Sequence, residues 1–241
     1  MPDTTLEPTP EPRDAPADLA GPADDETPWA MQLVVRVERA DPPTRTAACA
    51  AAATAVVTLL ADERAQPDGP WEPAVRRWSD AAIRKHCRRA RGAAWDRAAH
   101  LPGVTVEVDG AQVRAFVPTP TDAIPRELAR LQLSGSEPAD PERAEHVDAL
   151  VDGPLVVSIC PEPALPFGKA AAAAGHAAQV AAAQMSAGRY RPWRDAGFPV
   201  AVEHPGTAQW ATLLATSPVR IVDAGFTVVP TGTTTALARW A

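Results

Sequence analysis

The second half of the chain alternates short apolar runs with one alanine-rich stretch. Leu155–Ile159 is apolar at all but one position, which is typical of a buried parallel strand. Alanine loses the least on helix formation, so Gly168–Met185 is predicted to be a long helix. The rest of the pattern predicts a strand, a helix and two strands that flank a turn: Pro199–Glu203, Thr207–Ala215, Val219–Val222 and Phe226–Val229. This alternation indicates an α/β layer fold with mixed strand directions.

The first half repeats the pattern of the second. The matches are Leu33–Val37 with Leu155–Ile159 and Ala47–Ala55 with Lys169–Ala177 at an offset of 122 residues, Trp78 with Trp193 and Trp95 with Trp210 at 115, and Val108-Asp109-Gly110 with Val222-Asp223-Ala224 at 114. Self-similarity of this kind indicates a duplicated unit. Each copy is predicted to run strand, long helix, irregular loop, strand, helix, strand and then a final strand or helix.

Charge and proline content divide the chain further. Residues 1–29 hold eight acidic residues, one basic residue and seven prolines, a composition that predicts a disordered acidic tail. We interpret residues 30–133 as a degenerate copy and residues 154–241 as the second copy. Between them, residues 134–153 form a predicted linker with one short helix that begins at Asp140-Pro141-Glu142, where an acid precedes a proline.

Signals for export or membrane insertion are not found in the sequence. Residues 1–29 lack the basic start and apolar stretch of a signal peptide, and no run approaches the roughly 18 apolar residues of a membrane span. Cys49, Cys87 and Cys160 are scattered and odd in number, which argues against a disulfide framework or a zinc site. The expected compartment is the reducing cytoplasm.

Several short motifs of the second half come in a recognisable order. They are Gly168-Lys169, Gly175-His176-Ala177, Asp223-Ala224-Gly225, Thr227 and Gly232-Thr233-x-Thr235. With these residues, the segment from about Pro154 to Ala241 resembles the peptidyl-tRNA hydrolases of the archaeal and eukaryotic type (type II). The sequence departs from the family pattern at four positions, which are Ala173, Phe226, Val228 and Thr231.

The resemblance implies hydrolysis of the ester that joins a peptide to the tRNA ribose, without a metal or a cofactor. It implies that Lys169 stabilises an oxyanion or a phosphate, and that Asp223 and His176 activate water. Thr227 would position the substrate. The residues expected to line the substrate site are Gly168, Gly225, Gly232 and Thr233. Each main residue also has a structural interpretation: an exposed lysine that covers apolar surface, a buried histidine bonded to a backbone carbonyl, and a turn aspartate.

A dense group of basic residues lies in the first half. Seven lysines and arginines occur between positions 76 and 91, with Trp78 among them. Such density suits the phosphate backbone of tRNA. The residues of this segment that we expect to bind the substrate are Arg84, Lys85, Arg88 and Arg89. The alternative is an ordinary charged helix or edge strand.

The first copy lacks most of the expected catalytic residues. Thr46-Ala47 stands at the Gly-Lys position and Thr54 at the histidine position, so only Asp109 is retained. The expected fold is α/β, with two tandem small three-layer domains, each a mixed β-sheet flanked by helices. Because the family forms homodimers, the two domains are expected to form an intramolecular pseudo-dimer. The chain is then expected to be monomeric.

The implied partner is peptidyl-tRNA rather than DNA or a membrane. An alternative function is that of a catalytically inactive relative that binds RNA or protein, favoured by the departures from the motif. A dinucleotide-binding enzyme is disfavoured, because residues 161–169 lack the glycine spacing that lets a pyrophosphate approach.

Overall fold

The computed structural model describes residues 27–133, 138, 140, 153–223 and 229–241. Nearly all of the predicted acidic tail and most of the predicted linker lie outside this range. Residues 224–228 are also outside it, so the predicted strand Phe226–Val229 falls mainly on residues that are not described.

The described residues form two mixed β-sheets flanked by helices. The strands are β1 (Trp29–Arg36), β2 (Arg84–Ala90), β3 (Gly103–Val108), β4 (Ala111–Phe116), β5 (Thr119–Pro120), β6 (Leu155–Ile159), β7 (Val200–Glu203), β8 (Val219–Val222) and β9 (Thr234–Arg239). The α-helices are α1 (Arg45–Ala61), α2 (Glu72–Ser79), α3 (Gly92–Ala99), α4 (Arg126–Ala129), α5 (Phe167–Gln184), α6 (Ala187–Asp195) and α7 (Thr207–Thr216).

The two sheets have the same strand order. The first runs β2-β1-β4-β3, with β5 added to β1, and the second runs β7-β6-β9-β8. In each sheet the first strand in the sequence pairs in parallel with the second and antiparallel with the last long strand. The predicted α/β class with mixed strand directions is confirmed.

Strand pairing corrects the register of the repeat in its first strand. Met31 pairs with Lys85 in the first sheet, and Leu155 pairs with Val200 in the second. Lys85 and Val200 are 115 residues apart, as Trp78 and Trp193 are, so they are equivalent positions of the two halves. Their partners, Met31 and Leu155, are then equivalent too, whereas the sequence match had aligned Leu33 with Leu155. Side chains of a strand alternate with a period of two. The hydrophobic pattern therefore does not distinguish the predicted register from the observed one.

Most predicted elements of the second half lie where the pattern placed them. The observed limits of β6, β7, β8, α5 and α7 agree with the predicted ones to within one residue. The prediction of an irregular loop after each long helix was wrong, because these segments contain the helices α2 and α6. Each of these helices includes a proline. Pro73 lies in the first turn of α2, where proline is tolerated, but Pro192 lies in the interior of α6, where proline argues against a helix.

The two alanine-rich helices, α1 and α5, pack directly against each other. Alanine occupies most of their buried positions, so the helix backbones approach closely. A Cβ atom built on Gly175 would lie 2.9 Å from Cγ2 of Val56, which shows how little space separates the helices. One apolar cluster continues from the first sheet through both helices to the second sheet.

Contacts across this helix pair are reciprocal. Nε2 of His176 lies 2.6 Å from the carbonyl oxygen of Ile83, and Oγ1 of Thr54 donates to the carbonyl oxygen of Phe198 at 3.2 Å. Thr54 matches His176 at the offset of the long helices, and Ile83 matches Phe198 at the offset of the tryptophans. Both carbonyls belong to residues with positive φ, 40° at Ile83 and 58° at Phe198. Each half thus supplies one side chain and one carbonyl to this pair of contacts.

Helices also cover the outer face of the first sheet. Trp95 and Ala98 of α3 and Leu128 of α4 pack against Val34 and Phe116. Since α1 lies on the opposite face, this half has three layers. Among the described residues, no helix is long and apolar enough to cross a lipid bilayer.

Candidate functional site

Lys169 and Asp223 meet at one end of the second sheet. Lys169 lies in the first turn of α5, and Asp223 directly follows β8. Nζ of Lys169 donates a hydrogen bond to Oδ2 of Asp223. The Lys169 side chain is 20% exposed and that of Asp223 is 6% exposed. The lysine side chain is thus open to solvent in part, whereas the aspartate side chain is nearly enclosed.

Backbone hydrogen bonds fix the position of Asp223. Its N–H donates to the carbonyl of Thr233 at 2.8 Å, and its carbonyl accepts from the N–H of Gly232 at 2.9 Å. Gly232 has a φ of 84°, which a glycine adopts without strain. Oγ1 of Thr233 donates to the carbonyl of Pro230 at 2.7 Å. The structure therefore brings together Asp223, Gly232 and Thr233, which were all expected at the site.

The ion pair offsets an unfavourable interaction at the start of α5. A lysine in the first turn of a helix opposes the helix dipole, at a cost of about 0.3–1 kcal/mol. The Asp223 carboxylate places a negative charge beside the ammonium group in the same region. Gly225 and Thr227, the other residues expected here, lie outside the described residues.

The first half also contributes to this region through Arg45. Its Nη2 donates to the carbonyl of Leu165 at 2.6 Å, in the connection that precedes α5. Burial raises the pKa of the Cys160 thiol, while the positive charges of Arg45 and Lys169 act in the opposite direction. Both cations thus lie within electrostatic reach of the end of β6. Nothing in the sequence motifs indicated Arg45.

Gly168 has a packing role at the junction of the two halves. A Cβ atom built on it would lie 3.1 Å from the carbonyl oxygen of Cys87 and 3.4 Å from that of Leu133. These backbone atoms belong to the first half and leave little space for a side chain. Gly168 therefore allows α5 to approach β2 closely, and its expected role in substrate binding stays a prediction.

His176 has the environment of a structural histidine. Its ring contacts the Ile83 carbonyl and is buried. Burial above all, and the positive charge of Lys85 as a second cause, lower the pKa of His176 to about 3. A ring with this pKa is neutral at pH 7. It is a poor proton acceptor, and Nε2 is already engaged. These features fit the structural interpretation of His176, a buried histidine bonded to a backbone carbonyl, and its role in water activation stays a prediction.

This environment predicts an acid-dependent loss of stability. The pKa of His176 is about 3 in the folded chain against an ordinary value of 6.5, so the unfolded chain binds the extra proton between these pH values. The histidine's contribution to stability is complete above pH 6.5 and decreases as the pH falls towards 3. We expect the His176→Gln variant to lose less stability over this interval than the wild type, as measured by urea unfolding at a series of pH values. Equal pH dependence in both proteins would contradict the assignment.

The basic segment between positions 76 and 91 is only partly at the surface. Lys85 and Arg88 are buried, with 8% and 6% exposure. Nζ of Lys85 donates to Oε1 of Gln179 at 2.5 Å, and Nε of Arg88 donates to Oε1 of Gln32 at 2.9 Å. The expectation that these two side chains bind tRNA is thus corrected. Lys85 is buried against α5, and Arg88 is buried between Gln32 of β1 and the segment that follows α4.

The two other arginines expected at the substrate are half-buried in β2. The carbonyl of Arg84 accepts a hydrogen bond from Nε1 of Trp78 at 2.9 Å, and the same bond joins Trp193 to the Pro199 carbonyl in the second half at 2.9 Å. The guanidinium of Arg89 lies 5.1 Å from the ring centre of Phe167. The Arg89 side chain thus packs on an aromatic ring, whereas Arg84 contributes its backbone carbonyl to the bond with Trp78.

A buried polar network in the second sheet was not predicted from the sequence. Ser158 and Glu203 are fully buried on neighbouring strands, and Oγ of Ser158 donates to Oε1 of Glu203 at 2.5 Å. Arg239 on β9 donates to both carboxylate oxygens, at 2.7 and 3.1 Å. A two-point contact of this kind is the strongest geometry for an arginine–carboxylate pair. Three charged or polar residues on separate strands gave no local signal of their meeting.

The first half lacks a counterpart of the ion pair. Ala47 stands at the position of Lys169, and the exposed turn residue Asp109 follows β3 with a φ of 46°. The Lys169–Asp223 pair is thus specific to the second half within the described residues. Comparisons with protein-family models, curated proteins and solved structures found no match for this chain.

Proposed function

We propose that the second half of this chain hydrolyses the ester bond between peptide and tRNA in peptidyl-tRNA. The contact between Lys169 and Asp223 is the observation that carries this proposal. An ammonium and a nearly enclosed carboxylate at the end of a sheet supply the two charges that ester hydrolysis uses, a proton acceptor and an electrostatic partner for the developing oxyanion. The order of the motifs from Gly168 to Thr235 supports the same reaction class.

In this proposal, Asp223 accepts a proton from water as the water oxygen attacks the ester carbonyl. Its backbone bonds to Gly232 and Thr233 keep the carboxylate in one place, which favours a reaction that depends on orientation. Collapse of the tetrahedral intermediate then breaks the bond to the ribose oxygen. That oxygen takes the proton that Asp223 had accepted, so the Asp223 carboxylate is restored. The peptide leaves as a carboxylic acid that loses its proton to water, and the tRNA leaves with a free ribose hydroxyl.

Lys169 is proposed to stabilise the negative charge on the carbonyl oxygen or on a neighbouring phosphate. Its side chain is partly exposed, and a hydrogen bond to Asp223 holds its ammonium group in place. Loss of a single donor to an oxyanion commonly lowers the rate about 100- to 1,000-fold. Thr227 retains its proposed role in positioning the substrate, and His176 is assigned to the junction of the halves.

The two halves are proposed to form an intramolecular pseudo-dimer. The identical strand orders, the packing of α1 on α5 and the reciprocal bonds of His176 and Thr54 support this arrangement. The first half would then supply the structural partner, including Arg45 beside the site, without a reaction centre of its own.

An inactive relative that binds RNA or protein is the second candidate function. The neutral, bonded state of His176 favours it, together with the apolar residues Ala173, Phe226 and Val228 at motif positions. Loss of polar groups beside a site weakens catalysis more than it weakens association through distant surfaces.

An assay of ester cleavage separates the two functions. Purified full-length chain is mixed with peptidyl-tRNA, and free tRNA is followed by gel electrophoresis. The hydrolase predicts release well above the rate in buffer. Binding of the same RNA without release would support the inactive relative and contradict the hydrolase.

A further inference from the structure

A cleft of 340 Å³ lies between α3 and α4, on the outer side of the first sheet. The residues that line it are Ala94, Arg97, Arg126, Glu127, Arg130 and Leu131. None of them belongs to the motifs of the second half or to the basic segment between positions 76 and 91. The cleft is therefore separate from the features used to propose the hydrolase.

The cleft carries an excess of positive charge. Arg97, Arg126 and Arg130 are all exposed, and Glu127 is the only acidic residue that lines the cleft. Three guanidinium groups against one carboxylate give it a formal charge of about +2 at neutral pH, because arginine stays protonated there. A guanidinium presents a planar set of donors that matches the oxygen atoms of a phosphate group.

Buried contacts hold the walls of the cleft in place. Leu128 of α4 is almost fully buried against the sheet. Nη1 of the buried Arg88 donates to the carbonyl of Leu131 at 3.0 Å, and the N–H of Arg89 donates to the carbonyl of Gln132 at 3.0 Å. The segment that carries Arg126 and Arg130 is thereby fixed to β2. A fixed wall lowers the cost of ordering these arginines around a ligand.

We infer that this cleft binds phosphate groups of an RNA backbone. The choice of RNA rests on the proposed function, whereas the preference for a phosphate rests on the three arginines that line the cleft. Basic residues of the first half would then reach the nucleic acid from α3 and α4, and not from β2, where Lys85 and Arg88 are buried. Arg88 acts as a positioning residue through its bond to Leu131.

The test measures RNA binding by full-length protein at several salt concentrations. The probes are a deacylated tRNA and a short RNA stem-loop, so that binding is measured without ester cleavage. The test variants are Arg97→Glu and Arg130→Glu, and Arg220→Glu is the matched control, because Arg220 is an exposed arginine of the second sheet. Each test variant is expected to weaken binding about tenfold and to lower the slope of log K against log salt by about 0.7–0.9, the value of one phosphate contact.

Three outcomes would overturn the inference. In the first, the test variants bind RNA as tightly as the control does. In the second, the control loses as much affinity for RNA as the test variants do. In the third, inorganic phosphate displaces the RNA when its concentration equals that of the phosphate groups in the RNA. Failure of the proposed hydrolase is distinguishable, because it appears as intact peptidyl-tRNA in the cleavage assay with RNA binding still sensitive to Arg97 and Arg130. Circular dichroism of each variant checks that these surface changes leave the fold intact.

Discussion

The Asp223→Asn variant is expected to release tRNA about 100- to 10,000-fold more slowly than the wild type, the range for loss of a general base. Asparagine keeps the size of the side chain and leaves the backbone bonds to Gly232 and Thr233 possible, but its amide does not accept a proton from water. It also removes the charge that holds Lys169. The measurement is the rate of release in a single turnover with excess protein.

Asp109→Asn is the matched control for this change. Asp109 follows β3 in the first half, is exposed and adopts a positive φ that asparagine tolerates well. The control is expected to retain the wild-type rate and stability. Equal rates for Asp223→Asn and the wild type would remove Asp223 from the reaction, and equal losses in both variants would point to a general effect on the protein.

The Arg239→Leu variant is expected to lose about 3–5 kcal/mol of unfolding free energy, the usual result of removing one partner of a buried ion pair. The Glu203 side chain is 1% exposed, so its carboxylate would be left without its main cation inside the sheet. Ser158 would retain only one of its two bonds in this network. Urea unfolding followed by circular dichroism gives the difference.

A double variant, Arg239→Leu with Glu203→Leu, distinguishes a buried charge from a loss of packing. Removal of both partners leaves no unpaired carboxylate, so the double variant is expected to be more stable than Arg239→Leu alone. If Arg239→Leu stays within about 1 kcal/mol of the wild type, the network contributes no more than an exposed ion pair does.

Local patterns were sufficient to predict most of the second half. Runs such as Leu155–Ile159 and the alanine stretch of α5 give strong local signals, because a short run rich in β-branched residues suits a buried strand and alanine favours helix. Pro192 concealed α6, because a proline in the interior of a helix has a local cost. Tertiary packing overrides that cost, and a sequence pattern does not contain that information. The helix α2 was missed although Pro73 in its first turn is compatible with a helix.

The sequence motifs identified the two residues that form the ion pair of the candidate site. The first turn of α5 and the end of β8 were both identified, and Lys169 and Asp223 are in contact. For His176, the structural interpretation from the sequence, a buried histidine bonded to a backbone carbonyl, agrees with the structure. Which groups surround it was not predictable, because the Ile83 carbonyl and Lys85 come from the other half of the chain. The same reason applies to the burial of Lys85 and Arg88. Whether a charged strand is exposed depends on what packs on it.

The most direct test of the proposed site is a double-variant cycle for Lys169→Met and Asp223→Asn, measured as tRNA release in a single turnover. If the ammonium and the carboxylate act as one unit, the double variant is expected to be no slower than the slower single variant. Wild-type protein should release tRNA far faster than buffer does. Losses that multiply, or a wild type that leaves peptidyl-tRNA intact, would contradict a catalytic Lys169–Asp223 pair.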